Sequence, residues 1–342
     1  MRQLSETPDS KPVLSWHRPL MAYVAAMLVL IAVSAAGLAL DDRILVGAPI
    51  WLKPFKFAVS FTLYATTLAW ALSLLPESRP LLRKIGWWTG TAIAVLASAE
   101  WVVMLIQVVR GRMIHFNYTT ALDKLLYNSM GFMIMLVWVA TLVVAVLVML
   151  VKPADRAVSW ALRLGLGISL VGMGLAELMN LPTPDQQRVL DQGGTPAVIG
   201  GHSVGVPDGG PGMPITDWST TGGDLRIPHF VGMHALQALP LLAILLGVLA
   251  RRVALLRDAK VRIGLIQVGA AAYAGLVGLV TWQALRGQPL VHPDALTLAA
   301  LALLLGTTAW GTRAVLAAGR RRAGARASRS CEAVKELSLS GR

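Results

Sequence analysis

Residues 130–151 read MGFMIMLVWVATLVVAVLVMLV, an apolar run without a single charged side chain. A helix rises 1.5 Å per residue, so about 20 apolar residues cross the roughly 30 Å hydrocarbon core of a bilayer. This run therefore predicts a transmembrane helix, and comparable runs recur along the chain. Hydropathy predicts eight spans, near residues 20–40, 54–75, 87–109, 130–151, 158–180, 228–250, 261–284 and 294–316.

The composition agrees with a membrane protein. The 342 residues are 55% hydrophobic and 14% charged, with a mean hydropathy of +0.62, whereas soluble domains average about 45–50% apolar and 25% charged residues. We therefore predict an all-α fold, a polytopic bundle of transmembrane helices whose partner is the lipid bilayer. The first run ends in small residues, as a signal peptide does. A retained span is favoured because its apolar core is long for that role.

Basic residues predict the orientation of the bundle. Of the 31 Lys and Arg residues, 22 fall on the side that holds both termini, counting from Arg2 and Lys11 to Arg342. Cytoplasmic loops carry this excess, so we expect both termini in the cytoplasm and the protein in the plasma membrane, the inner membrane of a bacterium. The net charge of +13 follows from these loops and needs no nucleic-acid partner.

The chain divides by composition into five parts. We expect a cytoplasmic segment (1–19), spans one to five (20–181), a loop outside the cytoplasm (182–227), spans six to eight (228–316) and a basic cytoplasmic tail (317–342). The loop has ten glycines and six prolines, a composition typical of either disorder or a functional loop. An ordered cap is favoured because the loop has few charges and several apolar residues. The single cysteine, Cys331, excludes an intramolecular disulfide.

Small residues recur along two spans and predict close helix packing. In the fifth span they are Gly165, Ser169, Gly172 and Ala176. In the seventh they form two pairs, Ala271 with Gly275 and Ala274 with Gly278. Small residues four apart let helix backbones approach, so these positions predict interhelical contacts.

Polar residues are concentrated in the outer halves of three predicted spans. Glu100 lies near the middle of the third span, and Gln107 follows on nearly the same helix face. A carboxylate inside a membrane normally faces a cavity or a partner. Glu100, Glu177 and His234 are therefore candidate catalytic residues that would meet in one cavity. The alternatives are a protonated Glu100 bonded to a neighbouring helix and a Glu177 that reaches water.

Histidines near the same end are candidate ligands. His234 and Gln237 are three apart, on one helix face, while His229 and His234 are five apart and cannot readily grip one metal ion together. Structural hydrogen bonds are the alternative for each. A metal would be held by His202, His229 and His234. A cofactor would be held by His115, Gln107, His234 and Gln237, together with the basic residues Arg110, Arg112, Lys53, Lys56 and Arg226.

These basic residues predict a rim for an anionic group. Two lysines in the first turn of a helix oppose its dipole, so Lys53 and Lys56 need an explanation. Pairing with Asp41 and Asp42 and snorkelling are the simpler ones. Otherwise the rim would bind haem propionates, phosphates, carboxylates or lipid headgroups.

Four functions remain open. The first is binding of a redox cofactor (haem or quinone) or a metal ion. The second is a transporter or receptor for a small anionic or polar solute. The third is a metal-dependent hydrolase or transferase that would also use Asp208, and the fourth is a structural or assembly role. No standard catalytic signature is present, so whether the chain is an enzyme stays open.

Overall fold

A computed structural model describes residues 16–151 and 155–340, with the side chains of residue 327 and of residues 329–340 left out. Arg2, Lys11, Lys152 and Arg342, which entered the orientation argument, lie outside the described residues. The helices are α1 (Arg18–Leu40), α2 (Leu52–Ser73), α3 (Pro80–Arg110), α4 (Ala121–Met149), α5 (Arg156–Gly174), α6 (Glu177–Asn180), α7 (Pro184–Asp191), α8 (Arg226–Met233), α9 (Ala235–Leu249), α10 (Ala259–Leu285) and α11 (Ala295–Ser340).

The prediction of an all-α membrane helix bundle is confirmed. Seven described helices are long and apolar enough to cross a bilayer, and α8 with α9, bent by 40° where they join, makes an eighth. The described strands are four two-residue pieces: β1 (Ile44–Leu45) pairs with β2 (Ala48–Pro49), and β3 (Ser203–Val204) with β4 (Gly223–Asp224). Both pairs are antiparallel and lie between helices.

Helix boundaries follow ordinary capping chemistry. The Thr120 side chain accepts from Asp123 N at the start of α4, and Gly111 ends α3 in the left-handed conformation at φ 65°. The helix α11 continues to Ser340, so the predicted tail extends the last helix. These caps fix the end of α3 and the start of α4. They thereby hold the loop between the two helices, residues 111–120.

The bundle has two main hydrophobic clusters. The first joins α1 to α4, and the second joins α5, α9 and α10. The helix α5 belongs to both, because Leu162 and Leu166 pack in the first and Ala157 and Ala161 in the second. The helix α11 packs along α10 and leaves most of its surface toward lipid.

The small residues of α5 pack as predicted. A Cβ added at Gly172 would lie 2.3 Å from the carbonyl carbon of Gly232, and one at Gly165 would lie 2.8 Å from the Ala235 oxygen. The Ser169 hydroxyl donates to Met233 O at 2.9 Å. The backbones of α5 and of the α8–α9 bend are therefore in direct contact.

The prediction for α10 holds in part. A Cβ at Gly275 would meet Leu304 of α11 at 2.6 Å, whereas Gly278 has no atom near it. The pair Ala274 and Gly278 lies on an exposed face, so the expected contact is wrong for that pair.

The segment 182–225, named the cap here, covers one end of the bundle, named the loop end. It contains α7 and pairs β3 with β4. A small apolar cluster of Phe116, Met179, Leu225 and Ala284 lies at this end. The cap is thus held on the α3–α4 loop and on the ends of α6, α8 and α10 without a disulfide.

Candidate functional site

Lysines and histidines meet beneath the cap. Lys53 and Lys56 lie in the first turn of α2, His115 in the α3–α4 loop, His202 in the cap and His229 in α8. Lys53 lies near enough to His115 and His202 for its positive charge to act on both rings, and His229 is likewise near His115. We call these five residues the lysine–histidine cluster.

Aromatic rings separate the members of this cluster. The His115 ring lies 6.0 Å from that of Phe57, and the His202 ring lies 4.9 Å from that of Phe116. The Lys53 Nζ lies 5.8 Å from the centre of the Phe57 ring, within reach of a cation–π interaction. These rings place apolar surface beside the cluster, and a lower local dielectric strengthens electrostatic interactions.

Lys53 has no anionic partner in contact. In the described part of the chain, this half-buried side chain forms no hydrogen bond and no ion pair. Lys56 donates to the backbone oxygen of Thr216 at 2.7 Å. Of the two simpler explanations, pairing with Asp41 and Asp42 is not seen among the described residues, because Asp41 is bonded to Arg43 and Trp51 and Asp42 forms no ion pair. Snorkelling stays a prediction.

In two of the histidines, one ring nitrogen forms a hydrogen bond with an oxygen. His202 Nδ1 lies 2.8 Å from Asp208 Oδ2, and His229 Nδ1 lies 2.9 Å from Gly172 O. A carbonyl oxygen only accepts, so His229 Nδ1 carries the proton. The His115 Nδ1 is buried without a partner.

His115 and His202 are held neutral at pH 7. Burial lowers the pKa of His115 well below its ordinary value, and the charge of Lys53 lowers it further, as protonation of His202 or His229 would. Burial also lowers the pKa of His202, against the effect of Asp208. Burial opposes ionisation of Asp208, yet its hydrogen bonds with His202 and Ser203 hold the pKa of that carboxyl below its usual range.

Arg226 forms ion pairs with acidic residues of the cap. Its guanidinium pairs with Asp224 at 2.7 Å and with Asp217 at 3.2 Å, and the Asp224 side chain is fully buried. Asp224 also accepts from the backbone N–H of Ser219. The arginine predicted for the rim thus ties the cap to the start of α8.

Arg110 and Gln107 are likewise engaged within the protein. Arg110 pairs at 2.6 Å with Asp123, whose side chain is fully buried, and Gln107 donates to the same carboxylate at 3.1 Å. Thr119 and Thr120 complete its hydrogen bonds. This network joins α3 to α4. Arg112 is exposed, so the predicted basic rim reduces to the two lysines.

The three candidate catalytic residues lie in three different environments. Glu100 is buried on α3 with Oε1 unpartnered. Glu177 is exposed and accepts from Asn180 at 3.0 Å. His234, at the bend between α8 and α9, lies 3.1 Å from Gln237 and 3.5 Å from Ser60 Oγ. The shared cavity expected from the sequence is not seen among the described residues.

The predicted metal ligands are not gathered for a metal ion. Among the residues that the structure describes, no group of three His, Cys, Asp or Glu side chains could hold one. His202 faces Phe116, His229 contacts α5, and His234 packs 4.4 Å from the Phe230 ring. A metal-dependent reaction therefore gains no support from this geometry.

Sequence reasoning missed several neighbours of these residues. Phe57 follows Lys53 by one helical turn, a spacing that could have indicated a cation–π contact. Asp217 and Asp224 lie in the glycine-rich segment, where no periodicity indicates a partner. Tyr23 and Trp101, which adjoin each other near Glu100, gave no signal because aromatic residues are common in spans.

Comparisons with known proteins found no similarity. No family model matches the chain, and no curated protein and no solved structure matches it either.

Proposed function

We propose that this membrane protein binds a small anionic solute at the lysine–histidine cluster, as a receptor or transporter. We also propose that the loop end faces away from the cytoplasm, because most basic residues lie at the other end. The observation that carries the proposal is Lys53, a half-buried ammonium group without an anion in contact.

The charges around Lys53 support an anionic ligand. Lys56 and Arg226 repel the Lys53 ammonium group, and Asp208 is the acidic residue near it. The Asp208 carboxylate already accepts from the backbone N–H groups of His202 and Ser203. A desolvated cation is costly unless it is paired. A ligand carboxylate or phosphate would supply that pairing through charge-assisted hydrogen bonds.

The surrounding groups also suit an anion. The Phe57 ring offers apolar surface beside the ammonium group, and neutral histidines offer ring N–H donors. Haem propionates belong to this class of anion, and histidine is a common haem ligand. His202 and His229 each have Nδ1 engaged by an oxygen, as ligating histidines commonly do. A quinone headgroup stays a prediction from the sequence.

Binding of inorganic phosphate and succinate to the purified protein tests the proposal. At constant ionic strength, isothermal titration should detect at least one of them. Lys53→Gln should weaken binding about 10- to 100-fold, the value of one hydrogen bond to a charged group. Lys84→Gln is the matched control, an exposed lysine at the opposite end of the bundle, and should bind as the wild type does.

The absorption spectrum of the same preparation identifies a haem. A Soret band that Lys53→Gln weakens would assign the anion to haem propionates and would likewise support the proposal. The proposal fails if neither phosphate, succinate nor haem binds, or if Lys53→Gln and Lys84→Gln bind equally well.

A further inference from the structure

A second group of unpartnered polar atoms lies deep in the membrane-spanning part. Glu100, in the middle of α3, is 6% exposed, while Tyr23 of α1 and Trp101 of α3 are 4% and 3% exposed. Among the described residues, Glu100 Oε1 is buried without a hydrogen-bond partner, and the buried Tyr23 hydroxyl and Trp101 Nε1 lie within reach of each other but make no well-aligned hydrogen bond. Buried polar groups are nearly always hydrogen-bonded, so the lone Glu100 oxygen beside this poorly aligned pair requires an explanation.

These three atoms belong to one neighbourhood. The Tyr23 hydroxyl adjoins the Trp101 side chain and senses the charges of Glu100 and of Tyr64 on α2. Ala97 and Met104, one helical turn to either side of Glu100, are buried in the core of α1 to α4. Glu100 therefore lies on the face of α3 that packs against other helices.

The chemistry of the three groups is complementary in one protonation state. An indole N–H can only donate a hydrogen bond, a tyrosine hydroxyl can donate, and an ionised carboxylate can only accept. A carboxylate at Glu100 would accept from both Tyr23 and Trp101. The neutral acid instead suits the apolar surroundings, because burial of an unpaired charge is costly. The two donors thus favour the ionised form of Glu100, and the apolar surroundings favour its neutral form.

We propose that Glu100, Tyr23 and Trp101 form a proton-binding site within the membrane. Glu100 holds the proton as a neutral carboxylic acid and passes it to water when it ionises. The O–H bond of the acid breaks, the electron pair stays on the carboxylate, and Tyr23 and Trp101 donate hydrogen bonds to it. This site is separate from the lysine–histidine cluster and does not depend on the anion proposed there.

Other titratable groups on the packed helices lie away from Glu100. On α2 the group nearest to Tyr23 is Tyr64, which is bonded to Thr141 of α4. The remaining ionisable side chains of these helices lie in their terminal turns, apart from Tyr127, which faces His115 at the loop end. They are Arg18 on α1, Lys53 and Lys56 on α2, Arg83, Lys84 and Arg110 on α3, and Asp123 and Lys124 on α4.

Infrared spectroscopy of the full chain in phosphatidylcholine vesicles tests the proposal. The carbonyl stretching band of a protonated carboxylic acid should be present at about pH 5 and lost before about pH 10, where free tyrosine ionises. Glu100→Gln should abolish this band, while Glu177→Gln, which alters an exposed carboxyl, should leave it. Tyr23→Phe and Trp101→Phe should each retain the band to a pH about one to two units higher, because the carboxylate loses a donor.

Tyr273→Phe is the control for loss of a spanning tyrosine hydroxyl, since Tyr273 donates to Val231 O elsewhere in the bundle. It should titrate as the wild type does. The proposal is overturned if no band depends on Glu100, or if the band persists throughout the titration. It is equally overturned if Tyr23→Phe and Trp101→Phe titrate as the wild type does, which is the result for a role in packing alone.

Discussion

At the scale of the residue, Asp123 shows why Arg110, which the sequence predicted for a ligand site, has a structural role. Its fully buried side chain accepts from Arg110, Gln107, Thr119 and Thr120. The sequence places Arg110 and Gln107 correctly at the end of a span. Their partner lies thirteen or more residues away across a loop, and hydropathy contains no information about such pairs.

Asp123→Asn should destabilise the protein by about 3 kcal/mol. The amide keeps the shape of the side chain but leaves Arg110 without a counter-ion, and breaking one side of a buried pair costs about 3–5 kcal/mol. Thermal unfolding in detergent measures the effect. Asp185→Asn is the control, because Asp185 pairs with Arg188 on the surface, where such pairs contribute little. Equal melting temperatures for the two variants would contradict this assignment.

At the scale of the element, the long helices were predictable and the bend in the eighth span was not. Apolar runs such as 130–151 report burial in lipid directly, so the structure reproduces the spans. The interruption at His234 lies inside a stretch of high average hydropathy, and a hydropathy average does not show a local bend. Prediction of the candidate site from the sequence has the same limit, because it too depends on tertiary packing. Lys53 and Lys56 stood out because they oppose a helix dipole, whereas Glu100, Glu177 and His234 were expected to converge on a cavity that requires tertiary packing to predict.

Acid should loosen the cap. The pKa of His115 and that of His202 are lowered, first by burial, so the folded form holds these rings neutral. An opened cap would bind protons once the pH falls below about 6.5, the ordinary histidine pKa. Closed-cap stability is therefore complete above that pH and falls as the pH decreases toward the lowered values. The pKa of Asp208 is also lowered, so its carboxylate stays charged through this window.

Hydrogen–deuterium exchange of residues 195–225 measures this effect. After correction for the intrinsic rate, exchange should be faster at about pH 5.5 than at about pH 7.5, on either side of the ordinary histidine pKa. His115→Phe, which can keep the ring contacts with Phe57 and Tyr127, should reduce the difference. His292→Phe, at the start of the last span, should not. A cap whose exchange is the same at both pH values would rule out the mechanism.

At the scale of the whole molecule, charge asymmetry predicts the orientation. Because 22 of the 31 basic residues lie at the end with both termini, that end should stay in the cytoplasm. Alkaline phosphatase, which is active only outside the bacterial cytoplasm, should be inactive when fused at the C terminus and active when inserted at Gly210 of the cap. A green fluorescent protein fusion should give the opposite pattern. Phosphatase activity at the C terminus would reverse the assignment.

The contact between Gly172 and Gly232 would limit how the proposed solute reaches the lysine–histidine cluster. With two backbones touching there, and with Tyr273 and His229 bonded across the same junction, α8 is fastened to both α5 and α10. We therefore expect this side of the lysine–histidine cluster to stay closed. The opposite boundary includes the hydrogen bond from Lys56 to the Thr216 oxygen of the cap, so the rate of solute exchange should depend on how often this bond breaks.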